Sequence, residues 1–175
     1  MEECRELPLL FYAYRRRLVG NVSAHSHGGC ELIYLLRGSC RVEGPLGVLA
    51  GRSGQLLVIP PETVHNQIDS PDEKNIFCVF QAQPGLFEQR WRTIDLAGEA
   101  WCRRWLLELS SMTERNDFEG ANAILLGLLL RLSAFEKKRA AAEHLHPGLR
   151  KALAFIYNNF SRRISVEQIA EASGI

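Results

Sequence analysis

The chain has 175 residues, of which 46% are hydrophobic, so it is long enough to bury a substantial core in one or two domains. Its formal net charge of +1 excludes the broad positive field of a non-specific nucleic-acid binder. No uninterrupted apolar run approaches the roughly 18–20 residues of a membrane span, and the charged start MEECRELP lacks the apolar core of a signal peptide. The 5 cysteines form no CxxC pair, which favours reduced thiols. These features predict a cytoplasmic protein without a membrane partner.

Residues 9 to about 81 have the pattern of many short strands. The segments LLFYAYRRRLV, ELIYLLRGSCRVEG and NIFCVFQA are rich in aromatic and β-branched residues, and glycine or proline interrupts the series at short intervals. No long helical period appears before residue 86. The pattern predicts an antiparallel sandwich or barrel within residues 1–92.

Four polar side chains in this region have the spacing of a site. His25 and His27 share one face of an extended segment, because residues of equal parity do so. Glu31 has the same parity but lies farther along, and the intervening Gly-Gly pair allows a turn or bulge that returns its carboxylate to the imidazoles. His65 follows GQLLVIPPETVH, which indicates a strand, a Pro-Pro corner and a returning strand.

Three interpretations of these side chains remain open. Three imidazoles and one carboxylate suit Fe, Mn, Ni or Zn in a metal-dependent enzyme. The same groups can orient an organic effector among apolar walls, or they can be structural histidines with hydrogen-bonded partners. No further acid–base or nucleophile pattern is present, so we assign no catalytic residue. The candidate metal ligands are His25, His27, Glu31 and His65. The candidate effector-binding residues are those four with Gln67, which shares the parity of His65, and Tyr12 and Tyr14 on one face of the first strand.

From residue 97 the apolar period becomes helical, and residues 93–146 are expected to form a helical pair. AGEAWCRRWLLELSSMTERN has one amphipathic face, and DFEGANAILLGLLLRLSAFEKKR has an a/d-like stripe of about two heptads. The second stripe can cover one end of the barrel, or it can join two subunits. For a homodimer the predicted contact residues are Leu125, Leu128, Leu132 and Phe135.

The linker HPG (residues 146–148) separates the helical pair from the C-terminal segment, residues 147–175. Pro147 suits the first turn of a helix. Ser165 and Gln168 have the spacing of a capping box at the start of a second, short helix, which Gly174 ends. A short capped helix followed by a glycine turn is typical of the first half of a helix-turn-helix.

The polar residues of the strand region resemble the two motifs of the cupin fold. The first motif, HxHxxxE followed by glycine, is met at His25, His27, Glu31 and Gly38, and the second is met at Gly54, Pro60 and His65. The sequence departs from the second motif at Glu62, where glycine is usual, and at Asp69, where asparagine is usual. The resemblance implies an α+β protein whose antiparallel barrel is a double-stranded β-helix.

The spacing ISVEQIAEASGI resembles the start of the DNA-binding domain of the AraC/XylS family of bacterial transcriptional regulators. With the cupin motifs, the resemblance extends over nearly the whole chain. In that family a recognition helix follows and enters the major groove, and here Ile175 stands where it would begin. The resemblance therefore implies a partial helix-turn-helix that contains no DNA-binding residue of its own.

The favoured hypothesis is a non-enzymatic, ligand-responsive transcriptional regulator. A cupin-like barrel would bind a small-molecule effector, the helical pair would form a homodimer, and the complete helix-turn-helix would bind promoter DNA. No cofactor is expected unless the four candidate ligands hold a divalent transition metal. The alternative is a metal-dependent cupin enzyme, such as a dioxygenase or isomerase, that uses the same four residues.

Overall fold

The computed structural model describes residues 7–16, 20–69, 72–143 and 145–174. Ile175, where the resemblance places the start of the recognition helix, lies outside these residues. The described strands are β1 (Leu9–Arg16), β2 (Val22–His25), β3 (Cys30–Arg37), β4 (Ser39–Gly44), β5 (Gly47–Arg52), β6 (Gln55–Ile59), β7 (His65–Asp69), β8 (Lys74–Gln81) and β9 (Arg92–Asp95). The described helices are α1 (Ala100–Glu114), α2 (Phe118–Glu143), α3 (Pro147–Asn159) and α4 (Val166–Ser173).

The strands form two antiparallel sheets that face each other. The five-stranded sheet has the order β1-β8-β3-β6-β9, and the four-stranded sheet has the order β2-β7-β4-β5. On one side the sheets meet where β5 contacts β6 and β9. Between them packs a cluster of seven buried apolar residues from both sheets: Ile33, Leu35, Cys40, Val42, Leu49, Leu57 and Ile59. The predicted cupin-like barrel with C-terminal helices in an α+β fold is confirmed.

Strand β3 is apolar along most of its length because both of its faces are covered. Ile33 and Leu35 point between the sheets, into the apolar cluster. Leu32 and Tyr34 alternate with them, are also buried, and belong to the opposite face of the sheet. Helix α1 packs on the five-stranded sheet and contacts β1, β3 and β8. A strand covered on both faces shows no alternation of polar and apolar residues.

One face of helix α2 is buried within the chain. This observation bears on the predicted dimer contact. Its buried face, on which every side chain is fully buried, consists of Ala121, Leu125, Leu128, Leu129 and Leu132. Three of the four predicted contact residues (Leu125, Leu128 and Leu132) therefore pack within the chain and are not available to a second subunit. The sequence left both roles of the stripe open because a helix seam looks the same whether its partner lies in the same chain or in another. Phe135 is half-buried.

Several contacts fix α2 against its neighbours. The Asn122 side-chain oxygen accepts a hydrogen bond from the Leu10 backbone N–H at 2.8 Å, at the start of β1. The Arg131 guanidinium lies 4.5 Å from the centre of the Trp101 ring of α1, within the range of a cation–π interaction. The Trp105 ring lies close enough to Gly127 that a Cβ there would stand 3.3 Å from it. The helical pair predicted for residues 93–146 is therefore packed through aromatic rings.

The opposite face of α2 remains apolar. Leu130 is 42% exposed, and Leu126 is half-buried. Among the described residues one helix, Phe118–Ala141, is long and apolar enough to cross a membrane, with a mean hydropathy of 1.4. The expectation of no membrane span relied on uninterrupted apolar runs, and this window tolerates a few polar residues. Core helices of globular proteins meet the same criterion, and 28% of this window is buried within the chain.

The chain divides into two compact units, Met1–Leu132 and Ser133–Ile175, with the boundary inside α2. The division into parts 1–92, 93–146 and 147–175 stays a prediction. Strand β9 was not predicted, because the four residues RTID are too few to show a period.

The second unit contains the predicted pair of capped helices. Pro147 lies in the first turn of α3. Ser165 caps α4 with both reciprocal hydrogen bonds of a capping box to Gln168. Gly174 ends α4 in the left-handed conformation, with φ of 70°. The local geometry inferred from the sequence is confirmed in each of these respects.

Candidate functional site

A tight turn between β2 and β3 brings the first three polar candidates together. Strand β2 ends at His25, the chain bends at Gly28 and Gly29, and β3 begins one residue before Glu31. A Cβ at Gly29 would lie 2.8 Å from the carbonyl oxygen of Phe80, so the turn approaches β8 more closely than another residue type allows. The predicted turn at the glycine pair is confirmed.

The loop after β6 holds the turn from the other side. The Glu62 backbone N–H donates a hydrogen bond to the His27 carbonyl oxygen at 2.9 Å. Glu62 adopts the left-handed conformation, with φ of 56°. A glycine is usual at this position of the motif that the sequence resembles, and the positive φ gives the physical reason.

The carboxylate of Glu31 is the centre of the site. Its Oε2 atom lies 3.0 Å from His65 Nε2 and 3.3 Å from His27 Nε2. Glu31 is 6% exposed and His65 is 2% exposed, whereas His27 is half-buried. A buried carboxylate needs such donors, because it would otherwise lose its hydration without compensation. His25 lies on the solvent side, with its ring centre 4.4 Å from that of His65.

The three imidazoles share one orientation. The Nδ1 atoms of His25, His27 and His65 lie 2.8–2.9 Å from the backbone carbonyl oxygens of Ser23, Gly29 and Thr63, respectively. A carbonyl oxygen only accepts, so each Nδ1 carries the proton that it donates. The Nε2 atoms of His27 and His65 consequently face the Glu31 carboxylate, and each donates to it when the imidazole carries a proton on both ring nitrogens.

The electrostatics of the site follow from this hydrogen bonding. Burial raises the pKa of Glu31, but the hydrogen bonds from His27 and His65 outweigh burial and hold the pKa below its ordinary value. The hydrogen bond to Glu31 raises the pKa of His27 against the opposing effect of burial. The Glu31–His27 pair is therefore stabilised in its charged form.

The same four side chains have the donor set of a metal centre. One ligand atom from each of His25, His27, Glu31 and His65 can be chosen so that all lie within 4.8 Å of one another. An Nδ1–H donated to a carbonyl is the arrangement that orients an Nε2 ligand toward a metal. The residues present fit a divalent transition metal, which would supply open coordination positions for a further ligand.

Aromatic side chains from β1 and β8 form a wall beside the carboxylate. Tyr12 pairs with Val79 across the sheet, and Val79 pairs with Glu31, so all three belong to the same face. The Tyr12 and Tyr14 rings stack with centres 6.0 Å apart, and Phe77 packs edge-on against Tyr12 at 6.1 Å. Burial and the nearby Glu31 charge raise the pKa of Tyr12. The structure thus places Tyr12 and Tyr14 on the inner face, which the sequence left open.

Gln67 does not join the histidines. It lies two residues after His65 on β7, and its amide nitrogen donates a hydrogen bond to Asp69 Oδ1. This contact belongs to a second group of polar residues at the opposite end of the barrel, which we call the base cluster. The base cluster consists of Arg16, Gln67, Asp69, Glu73 and Asn75.

The base cluster contains buried polar groups that lack partners. Arg16 Nη1 lies 3.1 Å from Asp69 Oδ2. Glu73 and Asn75 are each 1% exposed, yet among the described residues neither the Glu73 carboxylate nor the Asn75 amide makes a hydrogen bond of normal geometry. The sequence pattern did not predict this cluster. Two signals were available in the sequence. One is the asparagine that begins the apolar strand segment NIFCVFQ, and the other is Asp69, an acidic residue where the second motif usually has asparagine.

The pH dependence of folding should reveal Glu73. Burial and the neighbouring Asp69 raise the pKa of its carboxyl from 4.5 to about 7, against the lowering effects of Arg16 and of the adjacent Asn75 amide. The folded chain therefore binds this proton more tightly than the unfolded chain, and stability falls as the pH rises from about 4.5 through about 7. Glu73→Gln has no such proton, so we expect its free energy of unfolding to exceed the wild-type value by about 3 kcal/mol above about pH 8.

The difference between Glu73→Gln and wild type should close below about pH 4.5, where the Glu73 carboxyl is protonated in both states. Denaturant unfolding over a pH series measures it. Glu88→Gln, at an exposed glutamate, is the control and should follow the wild-type curve. A difference that stays constant with pH would contradict the assignment.

Comparison with known proteins identifies the family. The family model described as the AraC-like ligand binding domain matches residues 9–145. These residues include both sheets, the Glu31 site and the base cluster. No curated protein matches the chain by sequence.

Solved structures share parts of the fold at low sequence identity. A cupin-2 domain protein from Shewanella frigidimarina is 15% identical over 41% of this chain and 67% of its own, with a TM-score of 0.34. An apo variant of ToxT from Vibrio cholerae is 9% identical over 95% of this chain and 70% of its own, with a TM-score of 0.49. Unsaturated-fatty-acid-bound ToxT is 11% identical over 100% of this chain and 76% of its own, with a TM-score of 0.46. Similarity at this level does not establish a shared function. The family match covers most of the chain, and the chain therefore belongs to the family of AraC-like ligand-binding domains.

Proposed function

We propose that this chain is the sensing part of a non-enzymatic, cytoplasmic, ligand-responsive transcriptional regulator. Its effector would bind inside the barrel beside Glu31. The observation that carries the proposal is the convergence of His27, Glu31 and His65 next to the ring pair Tyr12–Tyr14. A few polar groups that converge beside an apolar wall are the usual composition of a small-molecule site.

The chemistry of the site favours a particular kind of effector. Glu31 is ionised, so it accepts hydrogen bonds from hydroxyl or amine groups and repels a carboxylate. The stacked tyrosine rings offer a flat surface on which a planar apolar group can pack. We therefore expect hydroxylated aromatic compounds to bind better than aromatic acids or monosaccharides.

Binding can be tested by thermal unfolding in the presence of catechol, benzoate and glucose as probes of the three classes. We expect catechol to raise the melting temperature of the wild type most, since a ligand that binds the folded state stabilises it. Glu31→Gln and Tyr12→Ala should each lose most of the ligand-induced rise, measured from their own unliganded values. Glu88→Gln is the control and should respond as the wild type does. No response to any probe, or an undiminished response in both site variants, would contradict the proposal.

The signal would reach DNA through the second unit. The capped helices α3 and α4 support assignment as the first part of a helix-turn-helix, which in the complete regulator would bind promoter DNA. The effector would shift the equilibrium between two arrangements of the regulator by binding one of them more tightly.

We also propose that the chain forms a homodimer, through the exposed face of α2 rather than its buried face. Leu130 and Leu126 supply the apolar surface. Leu130→Glu should convert the dimer to a monomer in light scattering with little loss of folding stability. Leu128→Ala, on the buried face, should keep the dimer but lower the free energy of unfolding by about 2–5 kcal/mol. Lys138→Glu, at an exposed site on the same helix, is the control. A wild type that is monomeric at high concentration would rule the dimer out.

A metal-dependent cupin enzyme is the second candidate function. The shared orientation of His25, His27 and His65, with each Nδ1 held by a backbone carbonyl, supports it. These residues and Glu31 would hold the metal, which would act as a Lewis acid with positions open for substrate. This candidate requires a stoichiometric metal in the purified protein.

A further inference from the structure

The base cluster is a second polar site, separate from the one beside Glu31. The sheet pairing gives three levels on the inner face of the five-stranded sheet. Glu31 is at the upper level, Ile33 pairs with Phe77 at the middle level, and Leu35 pairs with Asn75 at the lower level. Asn75 also pairs with Arg16 of β1. The base cluster therefore lies at the lower level, and the middle of the apolar cluster, around Ile33, lies between it and Glu31.

The asparagine points to a ligand independently of the acidic residues. Asn75 has the inward parity of Leu35 and Arg16, and its uncharged amide is 1% exposed. Neither its nitrogen nor its oxygen makes a hydrogen bond of normal geometry to a described residue, although the amide lies close enough to the Glu73 carboxyl to lower its pKa. A buried amide without partners is rare in folded proteins, and each such group requires an explanation.

The unpaired atoms of the base cluster are mostly hydrogen-bond acceptors. Both carboxylate oxygens of Glu73 and the amide oxygen of Asn75 are unpaired, against the single unpaired donor nitrogen of Asn75. Gln67 already donates to Asp69, and Arg16 already faces Asp69. A ligand that completes this set must therefore supply several N–H or O–H donors.

The charges specify the sign of the ligand. Asp69 and Glu73 carry two negative charges when ionised, and Arg16 supplies one positive charge, so the net charge of the cluster is −1. Arg16 forms its ion pair with Asp69 and offsets the charge of Glu73 only partly, since the described residues give the Glu73 carboxylate no ion pair of its own. An anion would be repelled by both carboxylates, and a divalent ion would have to approach the guanidinium.

We propose that the base cluster binds an ammonium-type cation, either free ammonium or the protonated primary amine of a small molecule. One unit of positive charge neutralises the cluster. The N–H donors of the ammonium group match the Glu73 carboxylate and the Asn75 amide oxygen. Arg16, whose side chain is 19% exposed, marks the side of the cluster that faces solvent. This inference does not depend on the proposed function of the Glu31 site.

Thermal unfolding of the whole chain at about pH 8.5 tests the proposal, because the Glu73 carboxyl is ionised above its pKa of about 7. The probes are ammonium, methylammonium, tetramethylammonium, sodium and calcium chlorides at constant ionic strength. Ammonium and methylammonium should raise the melting temperature above the sodium value. Tetramethylammonium has the same charge but no N–H donor, so it should not do so. A response to ammonium alone identifies the free ion, and a larger response to methylammonium identifies a primary amine.

Two variants show whether the cation binds at this cluster. Glu73→Gln removes the charge, and Asn75→Leu removes an acceptor while keeping a similar volume. Each should weaken the apparent ammonium affinity about tenfold or more, the value of a hydrogen bond to a charged group. Glu88→Gln should bind as the wild type does. Each response is measured from the variant's own melting temperature without ligand, so a change in basal stability does not obscure it.

Three results would overturn the proposal. Tetramethylammonium could stabilise the chain as well as ammonium does, calcium could stabilise it more than either, or ammonium could give no more than sodium. In the last case, a Glu73→Gln variant that is still more stable than the wild type would leave Glu73 as a buried carboxyl group with a raised pKa and no ligand.

Discussion

The hydrogen bonds between the Glu31 carboxylate and two imidazoles are the constraint on which the site depends. A carboxylate this deeply buried stays ionised only if donors replace its hydration, and His27 and His65 supply them. The two histidines come from chain segments more than thirty residues apart. The close turn at Gly29 and the left-handed residue Glu62 are therefore structural conditions for the site.

The two ends of the barrel differ in how a buried carboxyl group is compensated. At the upper end each candidate histidine is fixed by a backbone carbonyl, and Glu31 has two donors. At the lower end Glu73 has none among the described residues, although it is buried to a similar degree. A folded chain tolerates this only if the carboxyl takes up a proton or a ligand supplies the missing donors. The apolar cluster between the ends keeps the two sites chemically distinct.

The sequence predicted what local pattern and spacing determine. Strand alternation indicated the barrel, the cupin-like motifs brought His25, His27, Glu31 and His65 together, and the capping box predicted the start of α4. Contacts between distant segments were not predictable in this way. Asn75 and Glu73 become a cluster with Arg16 only through the pairing of β8 with β1. The apolar stripe of Leu125 and Leu128 predicted a buried face, but a single sequence does not say whether the covering surface belongs to the same chain.

The chain belongs to the family of AraC-like ligand-binding domains. We propose that its Glu31 site binds an organic effector directly, without a metal. Metal analysis of the purified wild type and of His27→Ala tests this claim most directly, with His146→Ala as the control from the second unit. The account predicts far less than one metal ion per chain in all three proteins. Close to one transition metal ion per chain in the wild type and in His146→Ala, lost in His27→Ala, would contradict it.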